Sequence, residues 1–464
     1  MNPRHLKFIA RVVAFIMLLV LLAGLTPAAI RPVYAAPGDL MRISVASSGE
    51  QASGRSYGGQ ISGNGRYVAF ASDARNLIVG DTNNVEDVFV KDRQTGATIR
   101  VSLASGTGAQ ANGDSGGTLA ISSDGRYVAF ESSATNLVVT DTNGESDIFV
   151  RDLQAGITTL MSVDSSGVQA NYYSDNVSIS ADGRMIAFHS EATNLVSGDT
   201  NNLGDIFVRD RQTGQTRRVS VDSMGFEANG GSNAADISDD GRYVAFSSGA
   251  TNLVAGDTNG KRDIFVYDLQ TGSTTRVSIN TSGEQADGGG SSPSISGDGR
   301  YVVFLSDSGN LDPRANDYRD KDLVYLYDHQ IGQTTLASVA SDGSILTVGL
   351  FDQPTISRNG RLAAFPFYDK GDNNGIMNIW VRDFQTGASI KAEGGNSSSG
   401  GPSLSADGSI VAFSSGASNL VSGDTNGASD VFVREIVYGP DRNPTPCASV
   451  SPPHPHRRDS PRWI

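Results

Sequence analysis

A chain of 464 residues that holds 54 glycines against 16 prolines and is 38% hydrophobic suits many short strands joined by tight turns, and this composition argues against a helical protein. The net charge is −14, and the basic ends carry +4 over residues 1–36 and +2 over residues 441–464, which leaves −20 on the residues between them. A body this acidic binds phosphate poorly, which excludes nucleic acid as a partner, and the single cysteine, Cys447, excludes an internal disulfide and a metal site with several cysteine ligands.

Residues 1–35 have the composition of a secretory signal peptide. Arg4, Lys7 and Arg11 form a basic start, residues 12–25 form an apolar stretch of 14 residues, and residues 33–35 fit the small-residue rule for cleavage. The apolar stretch is short for a membrane span, which needs about 20 residues. The alternative is that the signal is not cleaved and anchors the protein, and this is the one membrane attachment that we consider. We therefore predict an exported body that is secreted, displayed on the cell surface or periplasmic.

The residues that follow repeat one phrase, Ile-Ser-x-Asp-Gly-Arg-Tyr-Val-Ala-Phe, with small changes. Successive copies are 48 to 61 residues apart. Long repeats that are rich in strand-forming residues are typical of propeller blades. The seven copies begin at Ile61, Ile121, Ile179, Ile237, Ile295, Ile356 and Leu404.

Each repeat divides into four strands. In the fifth repeat, residues 293–296 form the first strand, an Asp-Gly turn follows, and the apolar residues 301–304 form the second strand. The third strand has the pattern of residues 147–152, and the fourth has that of residues 274–279, in which polar and apolar residues alternate as in an outer strand. Four antiparallel strands make one blade, so the sequence predicts an all-β fold, a seven-bladed β-propeller over residues 39–438.

The ring is predicted to close through the N-terminal part of the body. The last repeat ends at residues 430–434 and has no fourth strand of its own. Residues 41–45 and 48–52 have the same pattern as the fourth strand and following turn of the fourth repeat, residues 275–279 and 282–286. We therefore expect the N-terminal segment to pair with the last blade as its fourth strand, which removes an open sheet edge.

The C-terminal residues 439–464 differ from the repeats. They are rich in proline and arginine and have no strand pattern, which predicts a disordered tail. This abrupt change also fits a propeller module cut from a longer surface protein.

The phrase Ser-x-Asp-Gly-Arg-x-Val-Ala-Phe, followed by Asp-Ile-Phe-Val-x-Asp, resembles the repeat of TolB-like, PD40-repeat β-propellers. The resemblance covers about residues 39–438 and implies the blade architecture. TolB itself has six blades and a separate N-terminal α/β domain, whereas seven repeats and no such domain are predicted here, so the resemblance does not imply a role in the Tol envelope system. Residues 310–313 of the fifth repeat and 365–368 of the sixth depart most from the pattern.

The long loops of the repeat, between the second and third strands and between blades, lie together on one face of the predicted propeller. Five of the loops between second and third strands share the pattern Asp-Thr-Asn-x-x-x-Asp, which offers carboxylate and amide oxygens to a hard cation such as Ca²⁺. The alternative is that Asp and Asn form Asx turns that order a long loop. The candidate ligands are Asp81, Asn83, Asp87, Asp141, Asn143, Asp147, Asp199, Asn201, Asp205, Asp257, Asn259, Asp263, Asp424, Asn426 and Asp430.

The repeats indicate a binding role more than a catalytic one. Ser115 lies in a string that matches a serine-protease nucleophile, but no histidine is predicted near it, and no catalytic residue is assigned. The leading hypothesis is an exported, non-catalytic scaffold that binds a protein or a glycan on its long-loop face, with a cation as a candidate stabiliser. The alternative is a secreted hydrolase or lyase that acts on carbohydrate or peptide in the channel. Propeller enzymes place unlike residues at the channel mouth, so the near-uniform repeats favour the first hypothesis.

Overall fold

The computed structural model describes residues 40–319, 321–347, 353–368 and 375–436. The predicted signal peptide, residues 1–35, and the predicted tail, residues 439–464, lie outside these ranges. Within the described ranges we find no helix with the length and apolar character that a membrane span requires.

The described residues form seven four-stranded antiparallel sheets, which we number as blades one to seven. The first strand of the chain, β1, is Leu40–Arg42. Blade one comprises Ser56–Ile61 (β2), Tyr67–Ser72 (β3), Asp87–Asp92 (β4) and Thr98–Arg100 (β5). Blade two comprises Ser115–Ile121 (β6), Tyr127–Ser132 (β7), Asp147–Asp152 (β8) and Ile157–Leu160 (β9). Blade three comprises Ser174–Ile179 (β10), Met185–Ser190 (β11), Asp205–Asp210 (β12) and Gln215–Arg218 (β13). Blade four comprises Ser232–Ile237 (β14), Tyr243–Ser248 (β15), Asp263–Asp268 (β16) and Ser273–Arg276 (β17). Blade five comprises Gly290–Ile295 (β18), Tyr301–Ser306 (β19), Leu323–Asp328 (β20) and Gln333–Leu336 (β21). Blade six comprises Thr355–Ile356 (β22), Leu362–Tyr368 (β23), Met377–Asp383 (β24) and Ser389–Lys391 (β25). Blade seven comprises Ser399–Leu404 (β26), Ile410–Ser415 (β27) and Asp430–Glu435 (β28), together with β1.

The hydrophobic core lies between neighbouring blades. Second and third strands are apolar along most of their length because both faces of each sheet are covered by a neighbouring blade. Ala129 and Ile148 of blade two, for example, pack in one buried cluster with Ile186 and Phe188 of blade three. Each blade buries both of its apolar faces only when it has a neighbour on both sides. This packing explains why seven copies of one apolar phrase specify a closed ring.

The N-terminal strand closes the ring, as the sequence predicts. β1 pairs antiparallel with β28, with Met41 opposite Val433 and Arg42 opposite Phe432. The pairing continues through the backbone N–H of Ile43, which donates to the carbonyl of Val431 at 2.7 Å. The Ile43 side chain is fully buried in the core between blades one and seven, so the last sheet has the same four-stranded form as the others.

The short turns lie on the face opposite the long loops. In blade two, the Asp124 carboxylate accepts from the Ser122 hydroxyl and the Arg126 backbone N–H, which fixes the turn between the first two strands. The Arg126 guanidinium makes a two-pronged ion pair with Asp152 at 3.0 and 2.7 Å, which joins the second strand to the third. The equivalent pair recurs in five other blades: Arg66–Asp92, Arg184–Asp210, Arg242–Asp268, Arg300–Asp328 and Arg361–Asp383.

The fifth blade has a different long loop, as its sequence indicates. Here a 3₁₀ helix, Pro313–Tyr318, replaces the Asp-Thr-Asn loop, and the Asp312 carboxylate caps it by accepting from the backbone N–H of Arg314. The Tyr325 hydroxyl, buried in the blade, donates to the Ser308 carbonyl at 2.6 Å. The long loop of the sixth blade includes residues 369–374, which lie outside the described ranges.

Candidate functional site: the long-loop face and the channel mouth

The five Asp-Thr-Asn loops bring their two aspartates together. In blade two, the side-chain amide of Gln169 donates to Asp141 at 2.9 Å and to Asp147 at 2.7 Å, so one glutamine joins both carboxylates. The Asn143 amide instead donates to the carbonyl of Ala170, and its oxygen accepts from a backbone N–H two residues further along the chain. The predicted asparagine ligands therefore act as turn residues in this loop, while the aspartates meet at the start of the third strand.

An arginine at the end of the fourth strand joins the aspartate pair in four of the five blades. In blade one, Arg100 Nη2 lies 2.7 Å from Asp81 and 3.5 Å from Asp87. The other three sets are Arg42 with Asp424 and Asp430, Arg218 with Asp199 and Asp205, and Arg276 with Asp257 and Asp263. The guanidinium therefore supplies a positive charge next to each of these buried pairs.

Blade two differs because Leu160 occupies the arginine position. Leu160 lies opposite Phe149, as Arg100 lies opposite the equivalent Phe89 of blade one. Among the described residues no arginine or lysine forms an ion pair with Asp141 or Asp147. Burial raises the pKa of Asp141, and burial raises the pKa of Asp147 to about 6. This pair is therefore the one in which two buried carboxylates share only neutral donors.

Blade three has a third carboxylate. Glu227 takes the position of the linking glutamine, and carboxylate oxygens of Asp199, Asp205 and Glu227 lie within 4.8 Å of one another. Arg218 Nη1 lies among them, 2.5 Å from Glu227 and 3.1 Å from Asp205. Burial, with repulsion from Asp205 as the next cause, raises the pKa of Asp199 to about 6. These three acids form a group that could hold a metal ion, although a guanidinium now stands among them.

The first strands of the blades line a central cavity of about 380 Å³. In six of the seven blades the described first strand bulges in its middle, so that its backbone enters the left-handed region, and the residue there is not glycine in three of them: Asn176 (φ 51°), Ala234 (φ 54°) and Ser292 (φ 50°). At the short-turn end, Asp239 and Arg358 form an ion pair at 3.2 Å that joins blades four and six. The equivalent positions of the other blades hold small residues, Gly63, Ser123, Ala181, Gly297 and Ala406.

The blades differ most around the long-loop end of the channel. We define the mouth ring by two positions in each of blades one to five, the residue that follows the buried aromatic residue of the second strand and the residue that precedes the third strand. In blade one these residues are Ala71 and Glu86, in blade two Glu131 and Ser146, in blade three His189 and Gly204, in blade four Ser247 and Arg262, and in blade five Leu305 and Asp322. Residues from the two positions face one another and approach the first strand; an added Cβ on the cavity-lining Gly117, for example, would lie 2.5 Å from Glu131 Oε2.

Blade three places a histidine–aspartate pair in this ring. His189 Nδ1 lies 2.6 Å from Asp175 Oδ1, on neighbouring strands, and the histidine side chain is only 10% exposed. The imidazole Nε2 lies over Gly204, where an added Cβ would approach it to 2.1 Å, so the glycine makes room for the ring. The Tyr173 ring lies beside the imidazole, with ring centroids 6.0 Å apart, and its hydroxyl donates to Glu191 at 2.6 Å.

The acidic members of the ring lie in blades one and two. Burial raises the pKa of Glu131, and repulsion from Asp175 adds to this effect. Burial likewise raises the pKa of Glu86, which is hydrogen-bonded to the Tyr57 hydroxyl, and burial and this bond raise the pKa of Tyr57. Half-buried carboxylates with raised pKa values, next to a cavity, are the usual signature of a binding or catalytic site.

The mouth ring was not predicted from the sequence, and the expectation of near-uniform blades is wrong at these positions. The repeats are uniform where they pack against one another, but Glu131, His189 and Arg262 are unlike residues at equivalent places. The signal was present in the sequence: within an otherwise regular repeat, the residue after the aromatic of the second strand changes in charge and size from one copy to the next. Ser115, in contrast, is bonded to the Ser132 hydroxyl at 2.7 Å at the start of a first strand.

Comparison with known proteins finds similar folds among the solved structures. The chain is similar to an oligogalacturonate lyase solved in complex with manganese, with 12% sequence identity and a TM-score of 0.51 over 87% of this chain and 99% of that chain. It also matches TolB from Acinetobacter baumannii, with 16% identity and a TM-score of 0.42 over 71% of this chain; this match spans 64% of the TolB chain, a little under two thirds of its length. A third match is the β-propeller domain of the Trilobed protease from Pyrococcus furiosus, with 13% identity and a TM-score of 0.49 over 78% of this chain and 91% of that domain. No protein-family model and no curated protein matches the chain.

The fold and the repeat define the protein as a seven-bladed β-propeller of four-stranded antiparallel blades. A second TolB structure, from Agrobacterium tumefaciens, is also among the matches, with 14% identity and a TM-score of 0.36 over 83% of this chain and 91% of that chain. At these identities the likeness is one of fold, so the function is argued from the residues of this chain.

Proposed function

We propose that the protein is an exported binding propeller whose ligand, a protein segment or a glycan, is held at the mouth ring on the long-loop face. The observation that carries this proposal is the concentration of unlike, half-buried polar residues at two positions of an otherwise uniform repeat. Packing between blades needs the same residue at every copy, whereas recognition of one ligand needs a different residue on each side of it. Export rests on the predicted signal peptide.

A capture experiment tests this proposal. The mature chain is immobilised and exposed to the culture supernatant and the cell envelope of its own source, and the retained material is compared with that retained by a Glu131→Gln, His189→Ala variant. We expect the ligand to be lost with the mouth variant and kept with Glu284→Gln, whose carboxylate is exposed on a turn between blades four and five. Material that both variants retain equally would contradict binding at the mouth.

A second candidate function is catalysis in the channel, on carbohydrate or peptide. It is favoured by the His189–Asp175 pair at 2.6 Å and by the neighbouring Glu131, whose pKa is raised by burial, since a histidine held by a carboxylate and a second carboxyl group beside it are suited to proton transfer. Because a lyase of acidic oligosaccharides shares the fold, acidic polysaccharides are the first substrates to assay. Product formation that disappears in His189→Ala would favour catalysis over binding alone.

We further propose that Ca²⁺ binds in the Asp-Thr-Asn loops, and that the loop of blade two is the place where it matters most. Asp141 and Asp147 are buried together without a guanidinium, so a cation there offsets a repulsion that arginine offsets in the four equivalent loops. Carboxylate oxygens are the ligands that Ca²⁺ prefers in proteins. In blade three, the same role would require Arg218 to leave the three acids that surround it.

A further inference from the structure

Arg262 is the basic member of the mouth ring. It immediately precedes β16, at a position that holds acidic or small residues in the three preceding blades. Its Nη1 donates to the side-chain oxygen of Asn233 at 2.9 Å and lies 3.5 Å from the Ser247 hydroxyl, which donates to the same Asn233 oxygen. Two neutral side chains therefore orient the guanidinium without neutralising its charge.

This arginine has no counterion within the described ranges. Other arginines of this acidic chain pair with carboxylates, as Arg126 does with Asp152 and Arg242 with Asp268. At Arg262 burial lowers the guanidinium pKa, and no neighbouring carboxylate counteracts the effect. A half-buried arginine that is held in place but left unpaired is a ready partner for a carboxylate, because its N–H groups form a fork that matches two carboxylate oxygens.

Two acidic residues of the mouth ring, Glu86 and Glu131, lack a basic ion-pair partner among the described residues, just as Arg262 lacks an acidic one. Neither Glu86 nor Glu131 forms an ion pair with a described arginine or lysine, and each is half-buried beside the cavity-lining glycines of blade two, Gly116 and Gly117. A ligand with only negative charge would be repelled by these acids. A ligand with only positive charge would be repelled by Arg262. A molecule that carries both charges satisfies both sides of the mouth.

We propose that the mouth ring recognises a zwitterionic, peptide-like ligand, whose carboxylate pairs with Arg262 and whose ammonium or guanidinium group faces Glu131 and Glu86. This inference rests on the proposed function and adds the chemical class of the ligand. The bonds that Arg262 donates to Asn233 and Ser247 make it the residue that fixes the orientation of the ligand, with the carboxylate of the ligand towards blade four.

Three probes with chains of six carbons test this inference: 6-aminohexanoate, adipate and hexane-1,6-diamine, each titrated into the mature protein by NMR or calorimetry. We expect 6-aminohexanoate to bind at least ~10-fold more tightly than either of the others, because it forms one more charge-assisted hydrogen-bonded pair with the mouth ring than adipate or the diamine does. Arg262→Gln removes this preference, and Arg262→Lys, which keeps the charge but not the fork, retains part of it. Arg217→Gln makes the same change of charge at an exposed position of β13 and leaves the affinities unchanged.

Equal affinities for the three probes, or a preference for 6-aminohexanoate that persists in Arg262→Gln, would overturn the inference. Tightest binding of the diamine, lost in Glu131→Gln, would also overturn it while supporting the mouth as a binding site. If none of the probes binds, the zwitterion inference fails, and the capture experiment with the Glu131→Gln, His189→Ala variant still decides the proposed function separately. Melting curves that match the wild type establish that each variant is folded.

Discussion

Calcium should stabilise the protein by binding in the loop of blade two, and an arginine introduced beside that loop should take over the stabilising role of calcium. Leu160 stands where four other blades place an arginine, so Leu160→Arg extends a guanidinium towards Asp141 and Asp147 as Arg100 does towards its own pair. Leu160 is nearly buried, and the stem of an arginine can cover part of the same apolar surface. We expect this variant to melt above the wild type in the absence of calcium and to gain little from it.

The size of the calcium effect follows from linkage. For one site with a dissociation constant of about 1 mM, 10 mM Ca²⁺ adds about 1.4 kcal/mol to the free energy of unfolding. With an unfolding entropy of about 2.1 cal/mol/K per residue over roughly 400 residues, this raises Tm by about 2 °C. The measurement is differential scanning calorimetry of the mature protein in calcium, in magnesium and in EDTA.

Matched variants assign the effect to one blade. Asp141→Asn with Asp147→Asn should abolish the calcium shift, whereas Asp81→Asn in blade one should leave it intact, because Arg100 already supplies the charge there. Magnesium should shift Tm less, since it requires a stricter octahedral geometry than this loop offers. If calcium and EDTA give the same melting curve, or if Leu160→Arg responds to calcium as the wild type does, the reasoning fails and the loops are structural turns.

Four further outcomes are expected. Deletion of residues 1–45 removes β1 and the guanidinium that pairs with two buried aspartates, and should cost at least about 5 kcal/mol or cause aggregation; a truncated protein that melts like the mature one would disprove closure by this strand. Deletion of residues 441–464, predicted to be disordered, should leave Tm unchanged, and a clear loss would mean that the tail packs on the body. The hydrogen bond from Arg126 lowers the pKa of Asp152 to about 2, so the stabilisation by this pair is complete above the ordinary carboxylate pKa near 4 and is lost as the pH falls through 2; Asp152→Asn should cost about 1 kcal/mol at pH 7 and clearly less at pH 2, as acid denaturation curves can check. Ser115→Ala should not change any ester or peptide hydrolysis, and activity that vanishes in this variant would contradict the absence of a serine nucleophile.

The fold was predictable because each blade is specified by local residues. The phrase that begins at Ile121 contains a turn in which Asp124 binds its own neighbours, followed by an apolar strand that is buried on both faces. These interactions span a few residues and recur in every copy, so their pattern is visible in the chain. Closure by residues 41–45 was also predictable, since the fourth strand of the last repeat is missing and its pattern appears at the start of the body.

The candidate metal loops were predictable in part. The pairing of Asp141 with Asp147 follows from their common loop, but the partners that decide its electrostatics come from elsewhere: Gln169 from the connection to the next blade, and Leu160 from the fourth strand. An arginine at that strand position affects the charge of the aspartate pair because the folded sheet places the strand beside the loop. Whether a carboxylate pair needs a cation is therefore a property of three separate segments.

The sequence by itself determined the number of blades, their strand order and the strand that closes the ring, because hydrophobic periodicity and turn residues act over short distances along the chain. The tertiary structure alone decided which residues share the channel mouth. Glu131, His189 and Arg262 lie in different blades; 58 positions separate the first two and 73 the last two. Their variation within the repeat is visible in the sequence, but it does not show that they surround one cavity. They converge there because the closed ring turns one end of every blade towards the same axis, so that a repeat position that looks variable along the chain becomes a continuous surface around the channel.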